Sequence, residues 1–183
     1  MTVEFRKLWY GHPINESIMA PCIASKELVN LEGKTVHKGF PVYANQCAIR
    51  MSVALKRAGV TSSQIGGIAS CGAHPAEEMH YINATALARA IDRANLPGFG
   101  PKEVISGEQA EQFYPLLFGR TGVMFIKDYW QRSSDSANFP TGDHIDVWNG
   151  YRSSAKWLME WFSWLGYYSN YAGAREIWFW EVK

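Results

Sequence analysis

The chain has 183 residues, a formal net charge of +1 and 47% hydrophobic residues, which suits one domain with a full core. The near-neutral charge leaves no basic field for nucleic acid or an anionic membrane, and no apolar run approaches the length of a membrane span. The start, Met1–Lys7, lacks the charged-then-apolar layout of a cleaved leader, so export would use a route that reads none.

Phe5 to Tyr10 has Phe5, Leu8 and Trp9 at helical spacing and predicts a first short helix, ended by His12-Pro13. Ser17 to Phe40 reads as a solvated loop with one short helix around Ser25–Leu31, and Lys38-Gly39-Phe40-Pro41 as a turn. Asn45 predicts the cap of a helix that runs through Leu55 and Lys56 and stops at Gly59. Its buried side would be Ala48, Met51, Val53, Ala54 and Leu55, with Lys56 and Arg57 suiting the dipole of the last turn. Ser62 to Gly72 reads as loop. Asn83-Ala84-Thr85 opens a second helix through Leu87, Ala90 and Ile91, terminated by Leu96–Pro101. Glu108 to Tyr114 predicts a short helix ended by Pro115.

Gly122–Ile126 is a short continuous apolar run and predicts a buried strand, and Asp128–Thr141 a polar loop over the sheet. His144–Trp148 alternates as a strand, closed by an Asn149-Gly150 hairpin turn. Ala155–Leu165 predicts an apolar helix broken by Gly166, and Glu176–Val182 a terminal strand. Helices come first and strands later. The expected fold is α+β, with N-terminal helices packed on a C-terminal antiparallel sheet, residues 1–183 forming one domain.

Eight Trp, nine Tyr and nine Phe are concentrated after Phe113. Most are expected in the core, with some left to line a groove for sugar or peptide. The three cysteines are Cys22, Cys47 and Cys71. No C-x-x-C or Cys/His metal spacing stands out, so structural zinc is not expected, and no metal or cofactor is predicted. An odd count fits one free catalytic thiol. The other two would be a Cys22–Cys71 disulfide or, the favoured reading, two buried free thiols.

Chemistry is concentrated in two distant segments, Asn45–Ser52 and Gly142–Gly150. Cys47 lies in the first turn of its helix, where unpaired N–H groups and the dipole favour a thiolate, although most free cysteines are only small buried hydrophobes. His144 begins a strand whose one face carries His144, Asp146 and Trp148 and whose other face, Ile145 and Val147, is the core side. A thiol and an imidazole supplied in that order, by a helix and then a strand, are the working parts of a papain-like cysteine hydrolase. Asp146 is placed to fix the imidazole tautomer, with Asn149 as the fallback. Asp143 points the other way. The Cys47 N–H is the expected oxyanion donor. Trp148 and His80 are assigned to substrate binding. His74 and His80 lack a helix face with a carboxylate and read as loop residues touching substrate rather than as metal ligands. His12 and His37 read as plain loop histidines.

With these segments quoted, the chain resembles the fourth family of type VI secretion amidase effectors, within the papain-like NlpC-type superfamily. The resemblance rests on Asn45–Ser52, Ala84–Ala88, Thr121–Trp130, Gly142–Gly150 and Glu176–Trp180, in family order over nearly the whole chain. It implies an antibacterial toxin that leaves the producer by the type VI secretion apparatus and acts in the periplasm of the target bacterium. It implies hydrolysis of the D-glutamyl–meso-diaminopimelate bond of peptidoglycan stem peptides and a cognate immunity protein that plugs the cleft. The family pattern also places a catalytic aspartate on the hairpin strand after the histidine. Here Tyr151–Lys156 has no carboxylate and the next is Glu160, so Asp146 takes that role by strand geometry. Two other readings stand beside this one. A Cys-His deamidase or transferase toxin acting on a protein would share the dyad. A non-catalytic glycan-binding module would use the aromatics alone.

Overall fold

The computed structural model describes residues 2–132, 135–136, 140–154 and 174–183. The expected helix over 155–165 and the carboxylate of residue 160 lie outside them. Helix α1 spans Phe5–Gly11 and ends at extended His12, ahead of Pro13, which starts a single 3-10 turn to Glu16. The expected helix around Ser25–Leu31 is absent. Instead β1 (Leu28–Val29) pairs antiparallel with β2 (Thr35–Val36). Asn30 explains the difference, because its Oδ1 accepts from Glu32 N and Lys34 N at 3.0 Å each and so closes a local turn.

Helix α2 spans Cys47–Arg57 and buries Cys47, Ala48, Ile49, Met51, Val53, Ala54 and Leu55. Its cap position is Gln46 rather than Asn45. Helix α3 spans Ala84–Ala94 and begins as expected, with Asn83 Oδ1 accepting from Ala86 N at 2.8 Å. The predicted helix after Gly107 divides into α4 (Glu108–Glu111) and α5 (Phe113–Leu117). Pro115 falls within the first turn of α5, where its missing N–H costs nothing, so it does not end the segment.

Four strands form one antiparallel sheet: β3 (Phe99–Ser106), β4 (Gly122–Trp130), β5 (Gly142–Trp148) and β6 (Glu176–Val182), in the order β3-β6-β4-β5. Strand β3 was not predicted. Pro101 and two glycines resemble a helix terminator, but β3 is an edge strand, the place where a sheet tolerates proline. Alternating residues cover the two faces of the sheet. Val123, Phe125, Ile145, Val147, Trp180 and Val182 pack with α2 and α3, whereas Met124, Ile126, Trp148, Ile177 and Phe179 pack with Phe113 and Leu117. A third cluster, with Cys22, Val42, Tyr43, Ile49, Val53 and Cys71, lies on the outer side of α2. Among the described residues no helix is long and apolar enough to cross a membrane.

Candidate active site

Cys47 and His144 meet where α2 packs against the edge strand β5. His144 hydrogen-bonds the Cys47 thiol. Burial pushes that thiol up, but the His144 hydrogen bond and charge, the Ile145 backbone and Arg50 outweigh it, and the thiol lies below its ordinary pKa. His144 Nε2 is 3.3 Å from Asp146 Oδ2, which leaves the other ring nitrogen for the sulfur. The side chains stand in the order thiol, imidazole, carboxylate.

Asp146 is 1% exposed. Its Oδ1 accepts from Val147 N at 2.8 Å and from Ser154 Oγ. Burial raises its carboxyl, but the fields of His12 and His144 and the His144 and Ser154 hydrogen bonds prevail and hold it far below the usual carboxylate range. His12, expected as a plain loop residue, is 1% exposed with Nε2 3.4 Å from Asp146 Oδ1. The turn Pro13–Glu16, packed against α2, tucks it inward. Burial lowers its pKa from 6.5 to about 4, so it is neutral at neutral pH, where His144, Ser154 and Val147 N stabilise the Asp146 carboxylate.

Cys47 opens onto a cleft of about 760 Å³, lined also by Lys34, Asn45, Thr85, Trp130, Arg132 and Asp143. Trp130 reaches this wall because β4 is irregular between Ile126 and Trp130, and its ring lies flat on Gly142. A Cβ at Gly142 would run into that ring, so a larger residue there would push Trp130 out of its place on the cleft wall.

Several expected site residues are placed elsewhere. Trp148 is fully buried and donates Nε1–H to Leu117 O at 2.9 Å, so it belongs to the second core and does not line the cleft. Both faces of β5 are covered, which single-strand alternation does not reveal. Asn149 Oδ1 accepts from Tyr151 N at 3.1 Å and Arg152 N at 2.9 Å and serves the turn rather than the imidazole. Asp143 Oδ2 accepts from Thr85 Oγ1 and its Oδ1 from Asp128 N at 3.0 Å. The Cys47 N–H donates to Asn45 Oδ1 at 3.2 Å, so an oxyanion would have to displace that side chain.

His80 is buried away from the cleft, beside His74, with ring centroids 4.2 Å apart. Cys22 and Cys71 are free, buried, and converge on the same place. Two local spacings, Cys71-x-x-His74 and His74-x5-His80, run through this cluster. Gln46, which sequence reasoning passed over, is 1% exposed.

Residues 43–180 match the family described as type VI secretion system (T6SS), amidase effector protein 4. No curated protein matches the chain. A chain of the effector–immunity system Tae4/Tai4 from Salmonella typhimurium is similar in structure at 17% identity and a TM-score of 0.50, over 76% of this chain and 74% of that one. A chain of the selenomethionine variant of that system is similar at 14% identity and a TM-score of 0.60, over 100% of both. These likenesses concern the fold.

Proposed function

The chain belongs to the type VI secretion system amidase effector protein 4 family, and from that premise we propose that it is a single-domain cysteine amidase whose nucleophile is Cys47, with His144 as base and Asp146 as orienter. The observation that carries this reading is that Cys47, the cysteine on the cleft, is hydrogen-bonded to His144.

The chemistry follows from the order of the groups. The Cys47 thiolate attacks the amide carbonyl while the imidazolium stays paired with the Asp146 carboxylate. As the tetrahedral intermediate collapses, His144 gives its proton to the leaving nitrogen and a thioester remains. Water, deprotonated by His144, then attacks the thioester and restores the thiol. N–H donors at the start of α2 are the nearest source of oxyanion stabilisation once Asn45 swings away from the Cys47 N–H.

The proposed substrate is the peptidoglycan stem peptide, cut between D-glutamate and meso-diaminopimelate. The charges on the cleft support it. Lys34 and Arg132 suit the carboxylates on either side of that bond, and Glu32 and Asp143 suit the free amine of a diamino acid. The solved relatives are effector–immunity systems, and a cognate immunity protein that fills this cleft is proposed here too. Export by the type VI apparatus and action in the target periplasm complete the reading. The test is mass spectrometry of purified sacculi incubated with the protein or with Cys47→Ala. New γ-D-glutamyl termini from the wild type alone are expected. An unchanged digest would overturn the amidase, and cleavage by Cys47→Ala would overturn the nucleophile.

A further inference from the structure

We propose that Cys22, Cys71, His74 and His80 form a tetrahedral zinc site, separate from the active site, that fastens together the two loops behind the nucleophile. One donor atom from each residue lies within 4.8 Å of all the others. His74 Nδ1 is 3.5 Å from Cys22 Sγ and 3.2 Å from Cys71 Sγ. With Zn–S of about 2.3 Å and Zn–N of about 2.0–2.1 Å, the S–N edge of a tetrahedron is roughly 3.6 Å. Both separations lie close to that edge before any ion has drawn the ligands in.

Hydrogen bonding alone satisfies this cluster poorly. His74 Nδ1 faces both sulfurs, yet it has a single proton or a single lone pair and serves one partner well. His80 is 6% exposed and its Nδ1 has no hydrogen-bond partner, a costly state for a ring nitrogen away from water. A disulfide would join the two sulfurs and leave both imidazoles without a role. A divalent ion uses all four groups. Two thiolates and two neutral imidazoles cancel its charge, so the centre is buried without net charge, and loading releases the thiol protons.

The surrounding backbone holds the ligands in place. Cys71 N–H donates to His80 O at 2.9 Å, and Ser70 bridges Tyr81, so both ends of the 71–80 loop turn inward. Tyr43 Oη donates to Cys71 O at 3.2 Å. The Cys71-x-x-His74 and His74-x5-His80 spacings are those of zinc ligands on short loops. Cys22 comes from a separate segment whose backbone grips Gln46, the residue before the nucleophile. The ion would thus stiffen the wall from which Cys47 projects. This inference does not depend on the amidase reading, because its readout is bound metal rather than turnover.

The test uses the full chain purified under reducing conditions with zinc, followed by gel filtration and metal analysis. About one zinc per chain is expected, kept by Cys47→Ala and lost by Cys71→Ser and His74→Ala. Cobalt(II) should give the visible bands of a tetrahedral site and thiolate charge transfer in the near ultraviolet. His74→Cys should keep the ion and strengthen that charge transfer, which separates lost ligation from lost folding. Zinc-free protein whose melting temperature ignores both zinc and chelator would overturn the site. So would recovery of Cys22 and Cys71 as a disulfide from the reduced preparation, or a cobalt spectrum unchanged by His74→Cys.

Discussion

Gln46 and Cys22 hold each other by a reciprocal pair of hydrogen bonds. Cys22 N–H donates to Gln46 Oε1 at 2.9 Å, and Gln46 Nε2 donates to Cys22 O at 2.9 Å. The same amide nitrogen donates to Tyr43 O at 3.1 Å. Gln46 also fills the cap position of α2, so this buried amide fixes the backbone from which the proposed nucleophile starts.

Gln46→Ala should therefore lower both stability and turnover. It leaves Cys22 N–H and Tyr43 O unsatisfied, while Cys22 O keeps its bond from Val42 N, a cost of about 2–5 kcal/mol. Gln46→Glu should be no better, since its carboxylate would face two carbonyl oxygens where the amide donates. Urea unfolding and kcat on a purified stem peptide check this. Wild-type values for Gln46→Ala would remove the amide from the account of the site.

His144 should set the ionisation of Cys47. In the wild type its hydrogen bond and charge win over burial. In His144→Ala burial is left opposed only by weaker groups, so the thiol should move above its ordinary value of about 8.5. Alkylation by iodoacetamide as a function of pH reads this directly. The wild-type midpoint should lie below the ordinary thiol value and the variant midpoint above it. Turnover should fall as far in His144→Ala as in Cys47→Ala, and the double variant should be no worse than either.

Asp146→Asn should cost on the order of 10^4-fold in kcat, less than the roughly 10^6-fold of losing either dyad member, because it orients the imidazole without moving the proton itself. Asp143→Asn should lower stability, through Thr85 and Asp128 N, and raise KM for the stem peptide, whereas Asn149→Ala should loosen a turn by about 1 kcal/mol at unchanged kcat. Near-normal kcat for Asp146→Asn together with a collapse for Asn149→Ala would reverse the assignment.

What was legible in the sequence is what depends on local pattern. The helix at Cys47, the helix at Ala84, the terminal strand and the run around His144 each carry their own periodicity and caps. The pairing of His144 with Asp146 followed from strand alternation alone. Features set by distant chain were not visible. Trp148 sits on a strand covered from both sides, and nothing within 144–148 shows the second cover. Strand β3 carries Gly and Pro because it lies at an edge, a property of the whole sheet. His12 is inside because the turn after it packs under α2. Cys22 reaches Cys71 across 49 residues, so only the local half of the Cys-His cluster was open to reading.

The buried His12 should give the fold an acid-sensitive window that its neighbours do not. The groups whose fields act on it are Asp146, Arg50, His144 and Arg57, and burial dominates them, placing its pKa at about 4 against 6.5 ordinarily. Between those values the unfolded chain binds a proton that the folded chain refuses. Stability is therefore full above about pH 6.5, falls as pH drops towards 4, and levels off below that. The whole span is about 3 kcal/mol, because each pKa unit is worth about 1.4. Asp146 acts in a lower range. Its carboxyl is depressed in the fold, so its contribution is present above the ordinary carboxylate value and fades only below about pH 4. His12→Asn keeps a polar side chain at this position and removes the titration. Urea unfolding from pH 4.5 to 7.5 should show a rising stability for the wild type and a flatter profile for His12→Asn. Equal slopes would mean that His12 takes up its proton within the fold, as an ion pair with Asp146, and that the buried site is charged at mildly acidic pH.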